Sequence, residues 1–153
     1  MSLEARIRPA VEADLEAMTQ LIGRLFALEP DFVFDPVKVR RGLLLLLDRE
    51  ESAALWVADL ADRVVGLCTA QIVISTAAGG PVAWVEDVVV CPDLRGQGLG
   101  RRLLDSVTAW AQRRGLARLQ LLADRENENA LAFYRRLGWQ DTRLDCLRLR
   151  TGE

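Results

Sequence analysis

The sequence predicts a mixed α/β domain of the α+β kind, on three observations. Four stretches carry apolar residues at helical spacing. Three β-rich runs follow one another in the middle of the chain, separated only by short turn signals, which is the arrangement of antiparallel pairs. Strand-to-helix crossovers fall only in the second half. The 153 residues are enough for one hydrophobic core and too few for two ordinary domains, so residues 1–153 read as a single domain.

Glu4 to Arg8 reads as a short first strand. From Asp14 to Leu28 the apolar residues Leu15, Met18, Leu21, Ile22, Leu25 and Leu28 form the stripe of an amphipathic helix. Glu29 to Pro36 interrupts that stripe. Asp35 followed by Pro36 has the N-cap and first-turn chemistry of a second helix, running to Asp48. Ala53–Leu60 and Val64–Ile74 are β-rich and are joined by Ala61-Asp62-Arg63, a hairpin signal. A second turn spans Ser75 to Pro81, and Val82 to Val90 is a strand, almost wholly apolar apart from Glu86 and Asp87. The glycine-rich stretch Arg95-Gly96-Gln97-Gly98-Leu99-Gly100 leads into a helix with Leu99, Leu103, Val107, Trp110 and Ala111 on one face and Gly115 as its C-terminal cap. Arg118 to Ala123 reads as a short strand, Asn127 to Leu137 as a helix closed by Gly138, and Trp139 to Arg150 as a last strand or hairpin.

Composition excludes several function classes. A net charge of −2 is the wrong sign for nucleic acid as the main partner, which selects a basic surface. The longest leucine run, Leu43–Leu47, falls far short of the roughly 20 apolar residues of a membrane span, and the first residues lack the charged-then-apolar order of a signal peptide. A soluble cytoplasmic protein without a membrane partner is expected. The chain has no histidine, which removes Ser-His-Asp and Cys-His nucleophilic sets and His-containing metal sites; no metal is expected. Cys68, Cys91 and Cys146 are odd in number and far apart, so all three read as small buried hydrophobes rather than a disulfide framework. Acid–base work falls to Asp, Glu, the single tyrosine Tyr134, the single lysine Lys38, or an arginine-oriented water.

Glycines 96, 98 and 100 sit between a strand and a helix. Without Cβ atoms the backbone can turn its N–H groups toward one point, and the helix N-terminus adds its positive end. The result is an anion site suited to a pyrophosphate, bracketed in charge by Arg95, Arg101 and Arg102. A dinucleotide fingerprint fails on spacing, since three positions past Gly98 is Arg101 and three past Gly100 is Leu103. A Walker loop fails for want of Gly-Lys-Ser/Thr.

The stretch Val85 to Leu94 followed by Arg95-Gly96-Gln97-Gly98-Leu99-Gly100 resembles motif A of the GNAT superfamily of N-acetyltransferases, whose core is Arg/Gln-x-x-Gly-x-Gly/Ala. Asn127 to Trp139 resembles its motif B, Asn-x-x-Ala-x-x-Phe-Tyr-x-x-x-Gly-Phe, with Trp139 in place of the last phenylalanine. The resemblance implies a mostly antiparallel sheet of about six to seven strands flanked by about four helices, with a splayed strand pair holding acyl-CoA. It implies acetyl-CoA as cosubstrate. The pyrophosphate would lie on the backbone of Arg95, Gly96, Gln97, Gly98, Leu99 and Gly100, with Arg101 at the helix start. The pantetheine arm would pair with the strand backbone at Val88, Val89 and Val90, and Asn127 would touch the same arm. Tyr134 matches the tyrosine that protonates or stabilises the leaving thiolate; the alternative is an ordinary core-facing residue.

Amine attack on a thioester needs a neutral amine, whereas a free alkylammonium has a pKa of about 10. A carboxylate beside the reacting carbon can take that proton, directly or through water. By strand alternation Glu86, Val88 and Val90 share one face and Asp87 points the other way, so Glu86 is the expected base. The alternative is that both acids are structural and paired with arginine. Transfer would be direct, in a ternary complex of amine and acetyl-CoA. An acetyl-Cys91 route is disfavoured, because no histidine activates that thiol and Pro92 follows it.

The acceptor is expected to be a small-molecule primary amine. Residues 1–62 hold 12 acids against 7 bases, and residues 63–153 hold 10 against 13. The loop between the first two helices, which lines the acceptor side in the resembling family, offers Glu29, Asp31, Phe32 and Phe34, a combination suited to a cationic acceptor. The alternative is that Asp35 is only an N-cap and the phenylalanines are core, and Arg40 and Arg41 oppose a purely cationic pocket. A peptide or protein amine, or an acyl-CoA sensor without turnover, are the competing readings. Leu43–Leu47 cover more than one helix face, so either a homodimer contact or a deeply buried helix is expected there.

Overall fold

The computed structural model of the protein describes residues 4–152. Its strands are β1 (Arg6–Pro9), β2 (Ala53–Leu60), β3 (Arg63–Ser75), β4 (Gly80–Val90) and β5 (Leu119–Leu121), and its helices are α1 (Leu15–Ala27), α2 (Pro36–Leu47), α3 (Leu99–Arg113) and α4 (Glu128–Arg136). Internal packing divides the chain into two units, Met1–Leu121 and Leu122–Glu153.

In the first unit the strands lie side by side in chain order, β1 to β5. Three pairings are antiparallel and the last, β4 with β5, is parallel. This is the expected mixed, mostly antiparallel sheet, with five strands instead of six or seven. α3 covers one face: a Cβ added at Gly66 would fall 3.0 Å from Leu103. Three positions along β3, Thr69 points to the opposite face, where α1 and α2 pack. The core is built between these layers from Met18, Val57, Val65, Leu67, Leu103 and Val107, none of them solvent-exposed. The stripe predicted for α3 is buried as a set. Within the leucine run only Leu43 is fully buried, while Leu44 and Leu45 face outward by 37% and 53%.

Local chemistry places the element ends. The Asp35 carboxylate accepts hydrogen bonds from the backbone N–H groups of Val37 and Lys38, capping α2 with Pro36 in its first turn. Arg40 of α2 forms a two-pronged ion pair with Glu16 of α1, at 2.7 and 2.9 Å. Arg8 on β1 grips both Asp14 oxygens, at 2.8 and 2.9 Å, and reaches Asp59 on β2 at 3.1 Å, joining the first strand to the second and to the turn before α1. The β2–β3 hairpin turns on Ala61 and Asp62, both left-handed, with φ of 51° and 65°. Alanine is a poor residue for that conformation. Ala61→Asn is therefore expected to stabilise the fold by about 0.5–1 kcal/mol, read as a rise of roughly 2 °C in Tm.

The second unit holds α4 and the chain that follows it. The Asn127 carboxamide oxygen accepts from the Ala130 N–H, capping the helix, and Gly138 closes it with φ of 95°. The strand expected over Trp139–Arg150 does not form, and residues 139–152 contain no regular element. Leu144 and Cys146 fall at even positions and Leu147 and Leu149 at odd ones, so neither face of a strand would be apolar. Exposed ion pairs join Arg135 to Asp141 and Arg125 to Asp145 along this irregular segment. Cys146 is exposed, contrary to the burial expected for it; Cys68 and Cys91 are buried.

Candidate active site

The parallel ladder between β4 and β5 ends at Val85 opposite Leu121, while β3 keeps pairing with β4 as far as Val90. The last five residues of β4 thus have a neighbour on one side of the ladder and no β5 partner on the other. The Cys91 N–H donates to the Val65 carbonyl at 2.8 Å. Backbone groups alternate sides along a strand, so Val89 faces β3, and the N–H and C=O of Val88 and Val90 face the open side. That edge can hydrogen-bond an extended amide-bearing chain.

The edge leads into a single turn, Pro92–Leu94, and then the glycine stretch. Gly96 and Gly98 adopt φ of 78° and 79°, the left-handed conformation in which L side chains are strained, and a Cβ at either would project into open space. Gly98 is the N-cap of the 15-residue α3 and offers no capping side chain, so the first N–H groups of that helix are open to an anion. Leu99 is buried and anchors the helix start, whereas Arg95, Gln97 and Arg101 are exposed around the loop. Arg102, expected to bracket the loop in charge, instead donates to the Ala5 carbonyl at 2.8 Å and tethers α3 to the start of the sheet. A pyrophosphate fits this cradle. Gly98→Val is expected to weaken binding of a pyrophosphate-bearing ligand at this cradle about tenfold or more, because a β-branched residue cannot hold that backbone.

Glu86 and Asp87 do not simply alternate. Thr69 opposes Asp87 and Ala70 opposes Val85, which leaves Glu86 as the extra residue of a β-bulge. Glu86 is exposed and pairs with no arginine among the described residues. Asp87 turns toward α1 and α2. Its Oδ2 accepts from the Thr69 hydroxyl at 2.7 Å, and its own N–H donates back to that hydroxyl at 3.2 Å. Burial pushes the Asp87 carboxyl above the usual carboxylate range, partly offset by the Thr69 bond, with the Glu86 charge adding to the rise. Asp87, Gln71 and Arg49 are the polar residues lining a cavity of about 360 Å³ walled by Ile22, Phe26, Val39, Leu43 and Leu46. The sequence sets Asp87 on the face opposite Glu86 but does not show the cavity that it lines. Adjacency to Glu86 was the available signal, but a bulge is a property of strand pairing that periodicity does not carry.

Asp31 on the α1–α2 connection is exposed, and Glu29 is half-buried. Phe32 stacks on Phe26, a cavity residue, with ring centres 5.0 Å apart. The Phe34 ring lies on Gly23, where a Cβ would come within 2.9 Å of it. Both phenylalanines therefore pack on α1 while staying 44% and 36% exposed. Cys91 is buried, with the Arg63 guanidinium 3.9 Å from its sulfur. In the second unit Tyr134 packs edge-on to Trp139, ring centres 5.8 Å apart, and tilts against Phe133. The Asn127 oxygen serves the α4 cap, which leaves its NH₂ as the outward donor.

Residues 16–139 match the family model described as Acetyltransferase (GNAT) family. An uncharacterized N-acetyltransferase of Methanocaldococcus jannaschii is 26% identical over 88% of this chain and 60% of its own length. An aminoglycoside N(6')-acetyltransferase type 1 of Stenotrophomonas maltophilia is 31% identical over 89% of this chain and 86% of its own. Other curated relatives are longer, and the chain spans about half of their length. Among solved structures, an aminoglycoside N-acetyltransferase, AAC(6')-Iy in complex with CoA, superposes with a TM-score of 0.82 at 19% identity, covering 99% of this chain and 98% of that one.

Proposed function

The chain belongs to the GNAT acetyltransferase family, and from that premise we propose that it transfers the acetyl group of acetyl-CoA to a primary amine of a small-molecule acceptor by direct attack. The observation that carries this reading is the continuity of the open β4 edge with the glycine cradle, an amide-pairing strand that ends in an anion site. Acetyl-CoA supplies the acetyl group already activated as a thioester.

The protein's own residues then divide the work. The backbone amides from Arg95 to Gly100, with Arg101 beside them, hold the pyrophosphate. The backbone of Val88 to Val90 aligns the pantetheine arm. Glu86 lies four residues, about 13 Å of strand, before Val90, so an arm paired along this edge runs toward the bulge at Glu86. Glu86 accepts at its carboxylate, directly or through water, the proton that the acceptor's ammonium gives up so that the neutral nitrogen can attack the thioester carbon. Tyr134, in the second unit, is the phenol to which the family resemblance gives protonation of the departing sulfur. Tyr134 packs edge-on against Trp139, ring centres 5.8 Å apart.

A cationic acceptor is favoured by Glu29 and Asp31 beside Phe32 and Phe34. Of the two nearby charges that oppose it, Arg40 is paired with Glu16, while Arg41 forms no ion pair among the described residues. The resemblance to a Stenotrophomonas aminoglycoside acetyltransferase points the same way. The test is thiol release from acetyl-CoA over a panel of polyamines, aminoglycosides, amino acids, amino-sugar phosphates and short peptides. Turnover on cationic small amines is the expected result. Turnover confined to peptides or phosphorylated amines would keep the chemistry and overturn the acceptor assignment, and acetyl-CoA binding without turnover on any amine would favour a sensor.

A further inference from the structure

We propose that Thr69 on β3 is a positioning residue for the transfer: its hydroxyl clasps Asp87 and so holds the β4 bulge at Glu86, which keeps the Glu86 carboxylate beside the reacting end of the cosubstrate. The proposal deepens the preceding reading, in which Glu86 is the base, and rests on it. Three observations carry it.

The first is that the clasp closes on a single residue. The Thr69 hydroxyl donates to the Asp87 carboxylate at 2.7 Å and accepts from the Asp87 N–H at 3.2 Å, so its proton and a lone pair are both committed to the residue that follows Glu86. Gln71 and Arg49 line the same cavity as Asp87, but among the described residues only Thr69 bonds to its side chain. The second is which peptide is held. The N–H that Thr69 receives belongs to the unit joining Glu86 to Asp87. That unit is planar, so fixing its direction restrains the ψ of Glu86 together with the φ of Asp87. The third is the cost of letting go. A surplus residue can be absorbed at neighbouring positions of a strand, and each shift re-aims the side chains around it. Thr69 is wholly buried and its branched side chain is stiff, so a bulge that moved off Glu86 would leave a shielded hydroxyl and carboxylate unpaired. The register that sets Thr69 opposite Asp87 and Ala70 opposite Val85 is the one that keeps both bonds.

Thr69→Val removes the hydroxyl and keeps the branched shape that a strand favours. Thiol release is measured at saturating amine and at a temperature where every variant is folded. The variant is expected to lose kcat about 10- to 100-fold with the KM for acetyl-CoA within a few-fold of wild type, the loss that follows a displaced reacting group. Thr69→Ser, which keeps the hydroxyl, should restore kcat to within a few-fold. In a Glu86→Gln background Thr69→Val should cost little more, because a residue that acts through Glu86 then has nothing left to position. Amide exchange in ¹⁵N-labelled protein reads the clasp without turnover: in Thr69→Val the Asp87 N–H should exchange about tenfold faster or more relative to the Leu67 N–H. An unchanged exchange ratio, or a kcat loss repeated in full in the Glu86→Gln background, would overturn the role of Thr69 and leave acetyl transfer intact. Wild-type protein silent on every amine would overturn the transferase reading and this role with it. If Thr69→Val fails to fold, Thr69→Ala, which leaves room for a water beside the carboxylate, carries the same measurements.

Discussion

Glu86→Gln is expected to lower kcat at saturating amine by about 100- to 10,000-fold, the usual contribution of a positioned general base. The substitution keeps shape and polarity, and the side chain is exposed at a bulge without an arginine partner, so Tm and the KM for acetyl-CoA should stay close to wild type. The pH profile separates a base from a merely structural acid. Without a protein acceptor for the proton, only amine already neutral in solution can react. The variant's kcat/KM should then rise about tenfold per pH unit up to the acceptor's own pKa near 10, while the wild-type rate flattens earlier. Acceptors of lower pKa should narrow the gap. Turnover within a few-fold of wild type at saturating amine would place the base elsewhere.

The largest stability effect is expected at Arg8. Its guanidinium is 18% exposed and binds Asp14, 8% exposed, and Asp59, 17% exposed. Arg8→Leu leaves both carboxylates shielded without their cation, which costs about 2–4 kcal/mol and lowers Tm by roughly 5–15 °C. The Arg8 hydrogen bonds hold the Asp14 carboxyl below the usual carboxylate range, against the opposing effect of burial. A carboxyl depressed in the folded state contributes stability above its unfolded pKa of about 3.9, and that contribution fades as pH falls through the folded value. The difference in stability between wild type and Asp14→Asn should therefore be full at neutral pH and close in acid. Urea unfolding at pH 7 and at pH 3 measures both; a gap that persists in acid would assign the effect to packing rather than to the charge pair.

Much of the architecture was legible because it is written locally. Asp35-Pro36 starts a helix through its own carboxylate and ring, and Gly115 and Gly138 follow helix ends in the left-handed conformation. The apolar stripe of α3 has one face because its residues recur at helical steps. The glycine cradle could be read as an anion site from three residues and their flanks. What was not legible depends on distant partners. Asp87 falls opposite Val88 and Val90 by plain alternation, but nothing within β4 announces that this face meets α1 and α2, or that the pairing with β3 slips by one residue at Glu86. Arg102 looked like one more charge at the loop until the fold brought the Ala5 carbonyl within reach, 97 positions away. The segment after Trp139 has strand-like composition but no apolar face, and composition alone suggested a strand that the structure lacks.

The open edge of β4 has a consequence for the lifetime of the protein as well as for its chemistry. A ligand hydrogen-bonded along Val88 to Val90 acts as a missing strand of the sheet, so it belongs to the folded state and has no counterpart in the unfolded chain. Any ligand with that preference at a thousandfold excess over its Kd adds about 4.1 kcal/mol to stability. On the proposed reading, the cellular supply of acetyl-CoA governs how often the chain opens to proteases, and a shortage of fuel would thin the enzyme population before it slowed any single molecule.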